Sequence, residues 1–191
     1  MVVSYQFRKI ALVLFLVLGS SGCAAIDDGS TTIKPESLSS FSQDPSSEVG
    51  SRNNPIALGV PVGINGWKVQ IISVNKDALQ LVLDSDAYAM RPSSGERFMM
   101  IKVKATYIGE ESGEPSSDLR FKVVGSRGNT FAKSCGYSVD TFTENGEAFP
   151  GATVMGNLCF TVEADQITGA ILSIQEDYSY ENRKFVSLDS N

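Results

Sequence analysis

The 191-residue chain contains no histidine. That absence excludes the Ser-His-Asp and Cys-His nucleophile relays and the usual imidazole-ligated zinc sites. Cysteine is scarce too. Cys23, Cys135 and Cys159 are the full set, and none stands in the C-x-x-C spacing of a redox or metal motif. Positive charge is in the minority, with 16 Lys and Arg against 22 Asp and Glu, a formal net charge of −6. Bulk electrostatics do not draw such a chain to nucleic acid or to anionic lipid. Long apolar runs are missing apart from Ile10 to Leu18, which falls short of the roughly 20 residues of a membrane-spanning helix.

What is present gives that run a meaning. Arg8 and Lys9 precede it, Gly19-Ser20-Ser21-Gly22 follow, and then comes Cys23. The order charged, apolar, small is the layout of a secretory signal. A cysteine directly after the small residues resembles the lipobox of bacterial prolipoproteins. The resemblance implies that residues 1–22 are removed and that Cys23 carries fatty acyl chains on its thiol and amino group. More than one chain makes a stable anchor, so the membrane is the first expected partner and the protein is exported to the cell membrane or outer envelope. An ordinary secretory cleavage near Gly22, with Cys23 incidental, is the alternative.

Loss of Arg8 and Lys9 with the leader leaves 14 basic residues against 22 acidic ones, a net charge of −8. If lipid occupies Cys23, Cys135 and Cys159 remain as a pair in an oxidising compartment. Joined, they would stabilise the fold by about 3 to 4 kcal/mol in the chain-entropy model. Two buried free thiols are the other possibility.

Residues 23–54 read as a tether, serine-dense and broken by Pro35 and Pro45 without apolar period. As a flexible coil it reaches on the order of 30 Å. Residues 55–190 read as one β domain. Asn65-Gly66 suits a tight hairpin turn, and Trp67 to Ile71 alternates as a half-buried strand should. Ile72 and Val74 shift that alternation by one, the mark of a bulge. Met99 to Tyr107, Leu119 to Val123, Thr130 to Lys133, Val154 to Val162, Ala170 to Gln175 and Lys184 to Leu188 supply further strands. Only Asp77 to Leu83 has helical spacing. The expected fold is an all-β, antiparallel sandwich of about seven to nine strands with one short helix.

Asn54-Pro55-Ile56, Gly66-Trp67-Lys68-Val69, Gly95 to Val103, Cys135-Gly136, Phe149-Pro150-Gly151 and Gly156 to Phe160 together look like a known group. Over residues 53–190 the chain resembles a bacterial family of immunoglobulin-like exported domains of unknown function, similar to the mycobacterial immunogenic secreted antigen. The resemblance implies an immunoglobulin-like sandwich at the cell surface, often lipid-anchored, with no established activity. Trp67 precedes both cysteines, so a Cys135–Cys159 bridge would not be the inter-sheet pin of antibody domains. It is expected to fasten the loop around Thr141 to Pro150 to the following strand.

Candidate chemistry is thin. Ser73-Val74-Asn75-Lys76 matches the S-x-x-K of penicillin-binding enzymes, but Ser73 ends a strand and the companion motifs are missing from the sequence. Asp84, Asp86, Glu110, Glu111, Glu114 and Asp118 lack the spacing of an EF-hand calcium loop. Paired carboxylates could serve glycoside hydrolysis across a cleft, which every acidic surface permits on paper. If the strands around Lys102 and Arg120 are neighbours, Lys102, Lys104, Arg120 and Lys122 share one outward face suited to an anionic glycan, a phosphate or an acidic protein. Solvated charge on an alternating strand is the plain alternative. The sequence therefore points to a lipid-anchored envelope protein whose sandwich binds a protein or glycan partner, with no enzyme activity, cofactor, metal site or nucleic-acid partner expected. A structural subunit of an envelope complex is the next reading, and a carboxylate-based hydrolase the one after.

Overall fold

The alternating segments become eight strands in the computed structural model, which describes residues 48–136, 140–176, 179 and 182–190. They are β1 (Val62–Ile64), β2 (Trp67–Asn75), β3 (Glu96–Tyr107), β4 (Leu119–Val124), β5 (Thr130–Phe131), β6 (Thr153–Glu163), β7 (Ile171–Glu176) and β8 (Arg183–Ser187). Two short helices interrupt them, α1 (Leu79–Ser85) and α2 (Pro115–Asp118). The first sheet has the order β1-β2-β3-β6 and the second β5-β4-β7-β8, all paired antiparallel. The expected β-sandwich is the fold.

Odd-numbered residues of β3 and β4 and even-numbered residues of β6 and β7 meet between the sheets. Trp67, Val69, Ile71, Met99, Ile101, Val103, Leu119, Val123, Phe160, Val162, Leu172 and Ile174 are buried in one cluster. Burying each large apolar side chain contributes about 1.5 to 3 kcal/mol, so this cluster is the main source of stability. Asn65 and Gly66 both take positive φ, 45° and 73°, and close the β1–β2 hairpin. The register breaks between Ile71 and Ser73, which leaves Ile72 exposed and returns Val74 to the inner side. Gly156 lets β6 run close under the chain at Asp140 to Phe142. A Cβ there would stand 2.5 Å from the Phe142 backbone.

Three local expectations shift. The helix begins at Leu79, two residues late: the Ala78 amide still donates to the Phe98 carbonyl of β3 at 2.8 Å, and Arg97 Nη1 donates to Asp77 at 2.7 Å. Glu48 to Asn54, placed in the tether for their polarity, belong to the sandwich. The Phe185 amide donates to the Gly50 carbonyl at 2.9 Å, and Ile56 bridges to Val186 in parallel. Cys135 and Cys159 do form a disulfide, with Cα atoms 5.4 Å apart, but it holds a different segment from the one anticipated. After leaving the second sheet at β5, the chain crosses to the first and pairs with β6. Thr161 donates to the Lys133 carbonyl at 2.8 Å, and Ser134 bridges Phe160. The disulfide locks that crossing, while the Thr141 end of the loop is held by the Asn157 amide donating to the Asp140 carbonyl at 2.6 Å.

Candidate functional site

The four cations expected on one face are split by the topology. β3 lies between β2 and β6, whereas β4 lies between β5 and β7. Lys102 and Lys104 therefore point outward from the first sheet, and Arg120 and Lys122 outward from the second, with the core between them. The reason is the connection from Ile108 to Asp118, which crosses from sheet to sheet instead of turning back as a hairpin. It is tied down by Tyr107, whose hydroxyl donates to the Ser112 carbonyl at 2.9 Å. Asp118 completes the tie, with Oδ2 accepting from Trp67 Nε1 and from the Glu114 amide, both at 2.9 Å. Each half of the proposed patch has gained other neighbours.

On the first sheet, Gln70 faces Lys104 and Lys68 faces Thr106, which makes Lys68 a diagonal neighbour of Lys104. Such neighbours stand about 7 to 8 Å apart, as do successive residues on one strand face. Lys68, Lys104 and Lys102 thus form a row, and none is ion-paired among the described residues. Lys76, Arg97, Arg127, Lys133 and Lys184 by contrast all have carboxylate partners. At its far end the row meets acid, where Lys102 shares a shallow cavity of about 290 Å³ with Asp140 and Glu144. A second hollow of about 240 Å³ runs from Lys102 past Ser73, Asn75 and Met100 to Leu81.

Beyond that hollow the face is roofed. Phe98 and Cys159 point outward from β3 and β6 and are buried with Ala78, Val82 and Cys135 in a small second cluster. Helix α1 supplies the roof and the disulfide one wall.

On the second sheet, register sets the side chains in rows. Arg120 faces Gln175, which faces Arg183, and in the next row Lys122 faces Ser173, which faces Phe185. Arg183 lies over the Phe185 ring at 6.0 Å, and Arg120 Nη1 donates to the Ser116 carbonyl at 2.6 Å. Lys122 enters no ion pair among the described residues. Between the cations, Ser173 and Gln175 are 2% and 5% exposed. Ser173 Oγ and Gln175 Oε1 are buried without a hydrogen-bond partner among the described residues.

The remaining candidates are used locally. Ser73 lies within β2, and Lys76 pairs with Asp189. The Asp189 carboxyl is held below the ordinary aspartate range by the hydrogen bond from Lys76, against the opposing effect of burial and with help from the Gly169 amide. Asp84 accepts from Gln80 Nε2, Asp86 from the Tyr88 amide, and Glu114 from the Ser116 hydroxyl. Cys23 and the serine-rich residues up to Ser47 lie outside the described residues. Sequence reading missed Lys68, Ser173, Gln175 and Arg183. Lys68 sat in a recognised alternation and needed only the β2–β3 register to join Lys104. Nothing in the sequence marked the burial of Ser173 and Gln175.

Neither a protein-family model nor a curated protein sequence matches this chain. Several solved structures are similar in chain path. A conserved hypothetical protein of Bacillus anthracis superposes with a TM-score of 0.49 at 12% identity, over 70% of this chain and 95% of that one. An uncharacterised β-sandwich protein of Clostridium difficile gives 0.43 at 12% identity, over 71% and 95%. The secreted protein MPT63 of Mycobacterium tuberculosis gives 0.42 at 13% identity, over 71% and 97%.

Proposed function

We propose that the protein is a lipid-anchored component of the cell envelope that binds an anionic glycan or an acidic protein and catalyses no reaction. Cys23 is the anchor, the serine-rich residues after it give reach, and the sandwich presents its outward faces. The observation that carries the binding is the row Lys68, Lys104 and Lys102. Three like charges side by side repel one another, and on a chain of net charge −6 none of the three is ion-paired among the described residues. Such an arrangement costs stability unless something of opposite charge uses it. The disulfide agrees with export, because such bridges persist in oxidising compartments.

Two measurements test this reading. Mass spectrometry of the membrane-extracted protein is expected to find acylated Cys23 as the first residue, and Cys23→Ser is expected to move the protein to the soluble fraction. Reversing Lys68, Lys102 and Lys104 to Glu together is expected to abolish retention on an immobilised polyanion at physiological salt. Unaltered retention of the triple variant would remove this row as the binding face. A second reading, a subunit of an envelope complex, draws on Tyr88 and Met90. They stand 93% and 84% exposed on the loop after α1, an apolar pair offered to solvent. Loss of a native-gel complex on Tyr88→Ser with Met90→Ser would favour it.

A further inference from the structure

We infer that the ligand of the row Lys68, Lys104 and Lys102 is a glycan that carries a free amino group beside its acidic ones. Its ammonium enters the hollow between Lys102 and the acids Asp140 and Glu144. This rests on the binding role proposed for the row and narrows it to one class of ligand. The charge changes sign within a single cavity. Lys102 lines a hollow of about 290 Å³ together with Asp140, Glu144 and Met155. Lys102, Asp140 and Glu144 are all exposed, and none of the three is ion-paired among the described residues. Both acids stand on anchored backbone. The Asp140 carbonyl accepts from the Asn157 amide of β6 at 2.6 Å. Glu144 ends a single 3-10 turn, Phe142–Glu144, whose Phe142 is fully buried. Asn145 Nδ2 ties that turn to β6 by donating to the Phe142 and Met155 carbonyls at 2.9 and 3.3 Å.

A ligand anionic along its whole length would pass from the lysines onto two carboxylates, and like charges placed together cost affinity. One that brings an ammonium beyond its anions meets opposite charge at both places. The surroundings favour a glycan over a peptide. β3 lies inside the sheet, with β2 and β6 on its two edges, so only side chains face the ligand. A peptide that binds as an added strand needs a free strand edge instead. On the other side of Lys102, the hollow of about 240 Å³ is lined by Ser73, Asn75, Met100 and Leu81. Asn75 Oδ1 already accepts from the Asp77 amide at 3.0 Å, which leaves Nδ2 as the donor it presents. The Ser73 hydroxyl and that amide suit sugar hydroxyls, and Met100 and Leu81 suit the C–H face of a ring. Acidic groups, hydroxyls and a primary amine occur together in a glycan that joins acidic sugars to an N-unsubstituted amino sugar.

The test is calorimetric titration of the full-length chain in detergent at about pH 6, where an amino group on a probe is protonated. Two heparosan oligosaccharides serve as probes, identical except that the terminal glucosamine carries a free amine in one and an acetamide in the other. The amine probe is expected to bind at least about tenfold more tightly, a difference of about 1.4 kcal/mol. Attraction to the lysines alone predicts the reverse order, because the amine lowers the probe's net negative charge. Asp140→Asn with Glu144→Gln is expected to weaken the amine probe at least about tenfold and to leave the acetamide probe no weaker. The double variant is expected to melt with the parent, since both side chains are exposed. Equal affinity for the two probes, or a preference that survives the double substitution, would overturn this inference and leave the lysine row standing. Binding of neither probe by the parent would remove both. Hexaglutamate, which also has a free terminal amine, would overturn the choice of a glycan if it bound as tightly as the amine probe.

Discussion

The outward faces of the two sheets start from the same alternation and are finished in opposite ways. On the first sheet Phe98, Met100 and Cys159 stand where the pattern puts solvent-facing residues, and α1 and the disulfide cover them. On the second sheet the corresponding positions hold Arg120, Lys122, Ser173 and Gln175, with no helix over them among the described residues. A covered face adds to stability. Buried polar atoms without a partner among the described residues, such as Ser173 Oγ and Gln175 Oε1 on the second face, subtract from it. The comparison teaches that an outward position becomes core or surface according to what the loops bring over it, which the strand itself does not encode.

Mutation can break that contrast, beginning with its apolar half. Phe98→Ala is expected to destabilise by about 3 to 5 kcal/mol, a core-sized loss from an outward position, read by urea unfolding. A loss below about 1 kcal/mol would mean that α1 is no true roof. Replacing Cys135 and Cys159 by Ser together is expected to cost about 3 to 4 kcal/mol, with β6 exchanging amide hydrogens faster near Thr161 than near Thr153. Acid sharpens the comparison at the sandwich end where Lys76 and Asp189 join. The lowered Asp189 value makes its contribution present above the ordinary aspartate value of 3.8 and lost as pH falls through the folded value. Glu96 acts in the same direction, its carboxyl lowered first by the Ser93 amide. The melting temperature is expected to fall more steeply below pH 3.8 in the parent than in Asp189→Asn. Smallest of all, Lys122→Ala on the second face is expected to change stability by no more than about 0.5 kcal/mol. A larger loss would show that the second face is held together from within.

Much of this architecture was legible from the chain. Trp67 to Ile71 and Met99 to Tyr107 alternate cleanly because one side is buried and the other wet, and Asn65-Gly66 can scarcely do anything but turn. Even the bulge at Ile72 announced itself by a broken period. What stayed hidden was pairing between distant strands. The grouping of Lys102 with Arg120 assumed that strands adjacent in sequence are adjacent in space. Pro115 and the ties of Tyr107 and Asp118 carry that connection across the sandwich instead. Polarity also misplaced Glu48 to Asn54, since their attachment to β8 runs through backbone groups that every residue possesses. Ser173 and Gln175 read as surface residues, because a polar residue's burial on an outward position is not written in the strand itself.

That attachment also fixes how the domain would respond to being pulled. Tension arriving through the residues before Glu48 enters at Gly50 and Ile56. There, Phe185 donates to Gly50, Ile56 donates to Phe185, and Ser187 donates to Ile56. Because Ile56 and Val186 run in the same direction, these bonds are loaded side by side in shear instead of opening one after another like a zipper. Backbone bonds arranged in this way yield late and all at once.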